Sequence, residues 1–236
     1  MIASGAAPRA TNFPTWRNHA ANFLLSTLFE PPCAACKQRL PRPLDGAVCE
    51  QCWASLRLAP RLNERYPSDH AITWACAVDR YDGRMKEIVH ALKYERRRSI
   101  AAPLGRLMQE RGVDLLRDAD LVVPVPLHPR REYQRGFNQA DDLARQLGLP
   151  VRHLLKRVVF THSQIDLPKH QRQENVKNAF ALSMHGSGFA VPATVVLVDD
   201  VSTTGSTLDA CARVLKATGV NEVRALTAAR VVNERR

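Results

Sequence analysis

The segment at residues 195–207, VVLVDDVSTTGST, constrains the fold of this chain more than any other. Its first four residues are an uninterrupted apolar run, which is typical of a strand buried on both faces of a parallel sheet. Residues 208–217 have the pattern of a helix, so the polar residues before them form a strand-to-helix connection. We therefore expect an α/β fold in which acids, hydroxyls and a glycine gather at the carboxyl end of a strand.

This connection carries the residue types that a sugar phosphate requires. Gly205 permits a close backbone approach, and the free N–H groups and dipole of a helix start favour an anion. Asp199 and Asp200 would repel a phosphate, so they would accept hydrogen bonds from sugar hydroxyls or face a metal ion. A Walker A loop is excluded because no Gly-Lys-Ser/Thr follows. The alternative is the ordinary polar strand end of any α/β fold. Hydroxyl donors are available from Ser202, Thr203, Thr204, Ser206 and Thr207.

Length and charge limit the classes of protein. The 236 residues suffice for one α/β domain with a small appendage or for two modest domains. A formal net charge of +11 predicts a surface that attracts pyrophosphate, nucleic acid or acidic lipid, without choosing among them. No apolar run reaches the roughly 18 residues of a membrane span, so we expect a soluble, cytoplasmic protein. The basic residues cluster, although each cluster could be a solvated surface: Lys93, Arg96, Arg97 and Arg98; Arg130, Arg131 and Arg135; Lys169, Arg172 and Lys177.

Two cysteine pairs predict a structural metal site. Cys33 and Cys36 form one C-x2-C turn, Cys49 and Cys52 form another, and twelve residues separate the pairs. Two such turns complete a closed four-thiolate zinc shell, which leaves no position for catalysis. Disulfides are the alternative, and the lack of a secretory signal disfavours them. We expect zinc to supply folding energy here because the connecting segment has too few apolar residues for its own core.

The remaining composition divides the chain into parts. Residues 1–15, rich in small and polar types, are predicted to be disordered. Residues 16–62 are predicted to hold an amphipathic helix over 16–29 and the cysteine module, and residues 63–70 a linker. A signal peptide is disfavoured because Asn22 interrupts the apolar run, and Glu30 and two prolines stand where a small-residue cleavage site would be. Residues 71–236 form the main domain.

Strand and helix patterns alternate through that main domain. Strands are predicted at residues 71–81, 121–125, 195–198 and 222–231, with a further apolar segment at 151–160. Helices are predicted from Met85 to Tyr94, around residues 104–115 with a break at Gly112, and over 138–147. Residues 161–177 are predicted to be an exposed loop. A mostly parallel sheet with helices on both faces is the simplest fold for this order.

A second constellation lies at residues 124–140, PVPLHPRREYQRGFNQA. It follows a predicted strand, so Arg130 and Arg131 would lie where ligands of open α/β sheets bind, with Arg135 slightly further on. Guanidinium groups can bind phosphate oxygens in bidentate fashion. Asn138 is interpreted as a helix cap, with ligand contact as the alternative.

These motifs resemble two known groups. The two acids followed by T-T-G-x-T resemble the PRPP-binding motif of type I phosphoribosyltransferases. Together with P-V-P-L-H and R-G-F-N-Q, this motif resembles the ComF family. That family is a competence-associated group with an amino-terminal zinc finger. The resemblance extends from Cys33 to Arg230 and includes the triplet Leu-Lys-Tyr at residues 92–94. One departure is that many members carry a further cysteine pair, which residues 63–70 lack. The pattern also includes Gln164, Arg172, Asn175, Ala179 and Phe180.

The resemblance implies roles for the residues. Asp199 and Asp200 would hold the ribose hydroxyls as catalytic residues, and residues 202–207 would bind the 5-phosphate. His128, Arg130, Arg131 and Arg135 would bind pyrophosphate, with Mg²⁺ accompanying PRPP, while Arg172 and Asn175 would belong to a hood. The implied activity is phosphoribosyl transfer to an unidentified acceptor. Two alternatives stay open: a competence protein that binds single-stranded DNA on this scaffold, and a PRPP-sensing regulator without turnover.

Overall fold

The apolar runs of the sequence form a five-stranded sheet in the computed structural model, which describes residues 21, 23, 31–67, 70–159, 178–183 and 191–232. The strands are β1 Leu62–Arg65, β2 Trp74–Arg80, β3 Leu121–Pro124, β4 Leu155–Arg157, β5 Phe180–Leu182, β6 Thr194–Ser202 and β7 Glu222–Arg230. The helices are α1 Glu50–Leu58, α2 Gly83–Tyr94, α3 Ala101–Arg111, α4 Val113–Leu116, α5 Pro129–Arg135, α6 Gln139–Ala144 and α7 Ser206–Lys216.

The sheet is mostly parallel, as the alternating pattern predicted. Its order is β1-β2-β7-β6-β3, and β1 is antiparallel to β2 at one edge while the other pairs are parallel. The last strand in the chain, β7, lies in the centre between β2 and β6. Central position explains why β7 is buried from Val223 to Ala229. A small antiparallel pair, β4 with β5, lies apart from this sheet.

Strand alternation divides the core between the two faces of the sheet. Val196 and Val198 pack on one face with α2, α3, α6 and the cysteine module. Val195 and Leu197 pack on the other face with α7 and the β4–β5 pair. The guanidinium of Arg111 joins the module to the sheet, since it donates to the carbonyls of Arg57, Ala59 and Val78. The cysteine module is therefore part of the main core.

Three parts of the chain differ most from their predictions. Residues 63–70, predicted as a linker, include most of β1, which pairs with β2 at the edge of the main sheet. β6 continues past residues 195–198 to Ser202, because β7 pairs with it as far as Arg230, so both acids lie in the strand rather than in the connection. Residues 126–131, predicted as a loop, contain the start of α5. Pro129 is the first residue of the helix, where a backbone N–H has no partner within the helix, so its absence loses no hydrogen bond. The fixed φ of proline also favours a helix start.

Several predictions concern residues outside the described ones. They include the disordered residues 1–15, most of the helix over 16–29, the exposed loop 161–177 and the hood residues Arg172 and Asn175. Ala21 and Phe23 are described and helical. In the ranges that the structure describes, no helix is long and apolar enough to cross a membrane.

Candidate functional site

The connection from β6 to α7 has the backbone that its sequence requires. Gly205 lies at the N-cap of α7 with φ of 77°, in the left-handed region that glycine adopts without steric cost. Thr203 and Thr204 are exposed, and the Thr204 and Ser206 hydroxyls lie 2.7 Å apart. The first turn of an eleven-residue helix thus opens beside a cluster of hydroxyls. This arrangement favours an anion through free N–H groups and the helix dipole.

The two acids of β6 have different surroundings. Asp200 is buried on the face covered by α2, and its Oδ1 lies 2.9 Å from Nζ of Lys93 in the last turn of that helix. Its Oδ2 is buried and accepts no hydrogen bond from any residue that the structure describes. Asp199 is half-buried on the opposite face, toward α7 and β4, where its charge contributes to the pKa values of Cys211 and Arg157. The Asp200 carboxylate therefore has a cation on one oxygen and, on the other, a buried acceptor without a donor from the described residues.

Asp199 also differs from an ordinary carboxyl in its pKa. Burial and the neighbouring charge of Asp200 raise the pKa of Asp199 above its usual range, against the opposing charge of Lys93. Burial would lower the pKa of Lys93, but the charges of Asp200 and Asp199 outweigh it and keep the ammonium protonated. Asp199 therefore holds a proton to a higher pH than an ordinary carboxyl.

The predicted arginine site lies on α5, beyond the carboxyl end of β3. β3 and β6 are parallel neighbours, so α5 and the β6–α7 connection lie at the same edge of the sheet. His128 caps α5, since its Nδ1 accepts from the backbone N–H of Arg130 at 3.2 Å. Arg131 lies close enough to Arg157 for its charge to add to burial in lowering the pKa of Arg157.

Arg135 lies at the other end of α5 and has neighbours of its own. Its guanidinium donates to Oε1 of Gln139 at 2.6 Å and lies 5.5 Å from the centre of the Tyr94 ring. Asn138 caps α6, as predicted, by accepting from the N–H of Ala140, and its amide also donates to the carbonyl of Val125. Asn138 therefore has a structural role that accounts for both ends of its side chain.

The sequence assigned no role in the site to two charged residues at this edge: Lys93, named only in a basic cluster and a family triplet, and Arg157. Lys93 continues the buried stripe of α2 formed by Met85 and Val89 at four-residue spacing, and a lysine in such a stripe indicates an internal ion pair. Arg157 comes from β4, and its guanidinium lies 5.3 Å from the centre of the Phe180 ring. The short β4 strand carried no sequence signal for this role.

The four predicted cysteines converge as one cluster that could hold a metal ion such as zinc. The candidate ligand atoms of Cys33, Cys36, Cys49 and Cys52 all lie within 4.8 Å of one another. Sγ–Sγ distances are 4.0 Å for Cys33 and Cys52 and 3.8 Å for Cys36 and Cys49. Bonds of about 2.3 Å in a tetrahedron place sulfurs about 3.8 Å apart, so the cluster fits zinc.

Backbone hydrogen bonds prepare one of these sulfurs for metal binding. The N–H of Cys49 donates to Sγ of Cys33 at 3.3 Å. Burial raises the pKa of Cys33, but backbone hydrogen bonds, from Cys49 first, outweigh it and lower the pKa to about 7. A thiol with a lowered pKa gives up its proton to a metal more readily.

A cavity of about 480 Å³ lies on the α7 face of the sheet, beside the hydroxyl-bearing connection. Ser202 and Thr203 form part of its rim, Ile72 and Leu208 part of its apolar wall, and Tyr66 an aromatic side. Neither acid of β6 lines it. The cavity therefore adjoins the connection from the side opposite to α5.

Comparison with known proteins agrees with this architecture. A model of the phosphoribosyl transferase domain matches residues 133–235, which include β6, the hydroxyl-bearing connection and α7. Competence protein F of Haemophilus influenzae is 34% identical over 157 residues, covering 62% of this chain and 68% of that protein. DNA utilization protein YhgH of Salmonella typhi is 32% identical over 211 residues, covering 81% and 87%.

A third relative is less similar in sequence. Competence protein ComFC of Bacillus subtilis is 28% identical over 219 residues, covering 85% of this chain and 82% of that protein. Relatives of this kind align with most of the chain, and the domain model covers the motif strand and the helix after it. The chain therefore belongs to the ComF family, as its motifs predicted.

Proposed function

We propose that this protein binds PRPP together with Mg²⁺ at the carboxyl edge of its sheet. The observation that carries the proposal is the buried Oδ2 of Asp200, an acceptor that no described residue satisfies, beside a helix start rich in hydroxyls. A buried acceptor without a partner costs free energy, so its presence indicates a ligand donor. Sugar hydroxyls are such donors, and an arginine-bearing helix at the same edge suits pyrophosphate.

Each part of PRPP has a chemically matched set of residues. The 5-phosphate would bind the residues of the connection, Ser202, Thr203, Thr204, Gly205, Ser206 and Thr207. The ribose hydroxyls would bind Asp199 and Asp200. The pyrophosphate would bind His128, Arg130 and Arg131, while Arg135 contributes positive charge from the end of α5.

We propose further that the site transfers the phosphoribosyl group. The bond from C1 of ribose to the pyrophosphate oxygen breaks as the acceptor bonds to C1, and the electron pair leaves with pyrophosphate. Arg130 and Arg131 would stabilise that leaving group, and the two acids would hold the ring as positive charge develops on it. Mg²⁺ bound with PRPP would neutralise part of the pyrophosphate charge, and it would need few protein ligands because it favours phosphate oxygens and keeps several waters.

Calorimetry and a release assay test these two statements separately. Titration with PRPP and Mg²⁺ should give one saturable site per chain, and absence of binding would refute the proposed ligand. Pyrophosphate release in the presence of a panel of nucleobases then tests transfer. One productive acceptor establishes an enzyme, whereas binding without release for any acceptor supports the PRPP-sensing alternative.

We propose a structural role for the four-cysteine cluster, with zinc as its metal. The four sulfurs form a closed shell, and Cys33 and Cys52 are buried within the same core as α2 and α3. A closed shell has no position for substrate or water, so zinc would stabilise the fold rather than act on PRPP.

Single-stranded DNA is a second candidate ligand, because two basic clusters that are separate in sequence meet on the surface. Arg96 donates to the carbonyl of Gln134 at 2.9 Å, and Arg135 lies against the Tyr94 ring. Tyr94 is 63% exposed and Tyr133 is 91% exposed, so both rings are available for bases to stack. The names of the relatives, which refer to competence and DNA utilization, agree with this candidate.

Anisotropy with a labelled oligothymidine across a salt series tests this second candidate. We expect affinity to fall steeply with salt, and Tyr94→Leu with Tyr133→Leu to weaken binding about tenfold or more at every salt concentration. The salt dependence should be unchanged in that variant, since stacking releases no counterions. Undiminished binding in the double variant would exclude this surface.

A further inference from the structure

We infer that Lys93 is a positioning residue for the sugar end of this site, and that residues 93–96, here called the connecting segment, link that end to the arginine helix α5. The inference rests on the proposed function, and it assigns a role to residues outside the two motifs. Its basis is the contact between Nζ of Lys93 and Oδ1 of Asp200 at 2.9 Å.

The ion pair is buried to an extent that stability alone does not explain. The Lys93 side chain is 16% exposed and that of Asp200 is 4% exposed. Desolvation of two buried charges offsets most of their attraction, so such pairs add little net stability compared with apolar residues. This pair also leaves Oδ2 of Asp200 without a donor from the described residues, which is an added cost. The cost is understandable if a ligand donor reaches this oxygen when it binds.

Packing fixes the place from which Lys93 reaches Asp200. Ile88, Val89 and Leu92 of α2 are fully buried, so the last turn of the helix has one position against the sheet. Lys93 extends from that turn to the end of β6 and holds one carboxylate oxygen. Because a carboxylate is rigid and planar, fixing Oδ1 also fixes the direction of Oδ2.

The residues that follow Lys93 contact the arginine helix. The Tyr94 ring lies against the guanidinium of Arg135 at 5.5 Å. Arg96 has φ of 55° in the left-handed region, which turns the chain so that its guanidinium donates to the carbonyl of Gln134 at 2.9 Å. Within four consecutive residues, Lys93 thus contacts β6, and Tyr94 and Arg96 contact α5. The distance between the sugar carboxylate and the pyrophosphate arginines is set through this segment.

Three probes separate the two functions of the segment. Ribose 5-phosphate carries the sugar end alone, pyrophosphate with Mg²⁺ carries the other end alone, and PRPP with Mg²⁺ carries both. We expect Lys93→Met to lower affinity for PRPP and ribose 5-phosphate about tenfold or more, as for loss of a charged hydrogen-bond partner, and to leave pyrophosphate affinity within about twofold. Arg96→Asn, which keeps the left-handed preference, should lower PRPP affinity while sparing each half-ligand.

Controls distinguish positioning from a general effect on folding. Lys86→Met changes an exposed lysine of the same helix and should leave all three affinities unchanged. Lys93→Arg should retain most of the ribose 5-phosphate affinity, and Lys93→Met combined with Asp200→Asn should lose no more than Asp200→Asn alone. A purely structural role would lower the three affinities together and would not be rescued by arginine.

The outcomes for this inference and for the proposed function are separate. Absence of PRPP binding by the wild type refutes the proposed function. If the wild type binds PRPP and folded Lys93→Met binds ribose 5-phosphate equally well, only the role of Lys93 is refuted. If Lys93→Met does not fold, Arg96→Asn on the surface decides, and unchanged PRPP affinity in that variant overturns the coupling through the segment.

Discussion

The backbone N–H of Asp200 donates a 2.8 Å hydrogen bond to Oδ1 of Asp199, while the two side chains leave β6 on opposite faces of the sheet. Adjacent strand residues always project to opposite faces. A ligand that contacts both carboxylates must therefore lie across the carboxyl end of β6 rather than against one face. This geometry explains why two neighbouring acids can have different surroundings and different proton affinities.

The first prediction concerns pH and Asp199. Its pKa is raised in the folded protein by burial and by the charge of Asp200, so folding favours the protonated form. The contribution of this group to stability is therefore lost as pH rises from the ordinary carboxyl pKa near 4 through the raised pKa. Asp199→Asn removes that loss and keeps the oxygen acceptor. We expect the unliganded variant to gain stability relative to wild type between pH 5 and pH 8, by on the order of 1 kcal/mol for each pH unit.

Urea unfolding at the two pH values measures this difference. The comparison of variant with wild type at each pH cancels any pH dependence from the cysteine cluster. If the variant is less stable than wild type at pH 8, the ionisation of Asp199 does not destabilise the folded protein and the prediction is wrong.

The second prediction concerns Gly205. A side chain there meets no atom within 4 Å, so only the positive φ opposes Gly205→Ala. We expect a loss of about 1 kcal/mol in the free energy of unfolding and a fall in PRPP affinity, because the connection shifts to relieve the backbone. Gly219→Ala is the matched control, since its φ of 97° is also positive and it lies beyond the other end of α7. That control should lose similar stability with unchanged affinity, and equal affinity in both variants would contradict the role of the connection.

The third prediction concerns the metal. Leu40, Trp53 and Leu56 of the cysteine module pack in the same core as α2. Loss of the metal should therefore lower the stability of the whole domain. We expect one zinc per chain in the purified protein and a loss on the order of several kcal/mol in unfolding free energy on chelation. Cys36→Ser should abolish the stoichiometric zinc, whereas Cys76→Ala, which alters a buried thiol outside the cluster, should retain it. Equal zinc content in these two variants would contradict the site.

The fourth prediction concerns Asn138. Its side chain caps α6 and also donates to the carbonyl of Val125 at 3.1 Å, so Asn138→Ala breaks both contacts. We expect a loss of about 1 to 2 kcal/mol in unfolding free energy with PRPP affinity unchanged in the folded protein. Asn138→Asp keeps the cap but places a carboxylate oxygen against the Val125 carbonyl oxygen, so it should also be less stable than wild type. A specific loss of PRPP affinity would instead assign Asn138 to the ligand.

Much of the fold was predictable because its signals are local. The apolar run of β6, the glycine before α7 and the break at Gly112 each depend on a few consecutive residues. The start of α5 was misjudged because three prolines suggested a stiff loop, whereas Pro129 begins a helix. Sequence order also gives no strand order, so nothing indicated that β7, the last strand, lies at the centre.

The charged contacts of the candidate site depend on tertiary structure. Lys93 and Asp200 are far apart in sequence, and their pairing exists because α2 packs on the face that Asp200 enters. Arg157 reaches the same edge from β4, a strand of three residues with a weak pattern. The motifs predicted that acids, hydroxyls and arginines lie together at this edge of the sheet. Tertiary packing determined that Lys93 and Arg157 lie beside them.

The central claim is that Asp199 and Asp200, near the end of β6, bind the sugar of PRPP. Its most direct test is calorimetric titration of PRPP with Mg²⁺ into wild type and into Asp199→Asn with Asp200→Asn, with circular dichroism to establish that both are folded. We predict saturable binding by the wild type and none by the folded double variant at the same concentrations. Equal binding by the two proteins would contradict the claim.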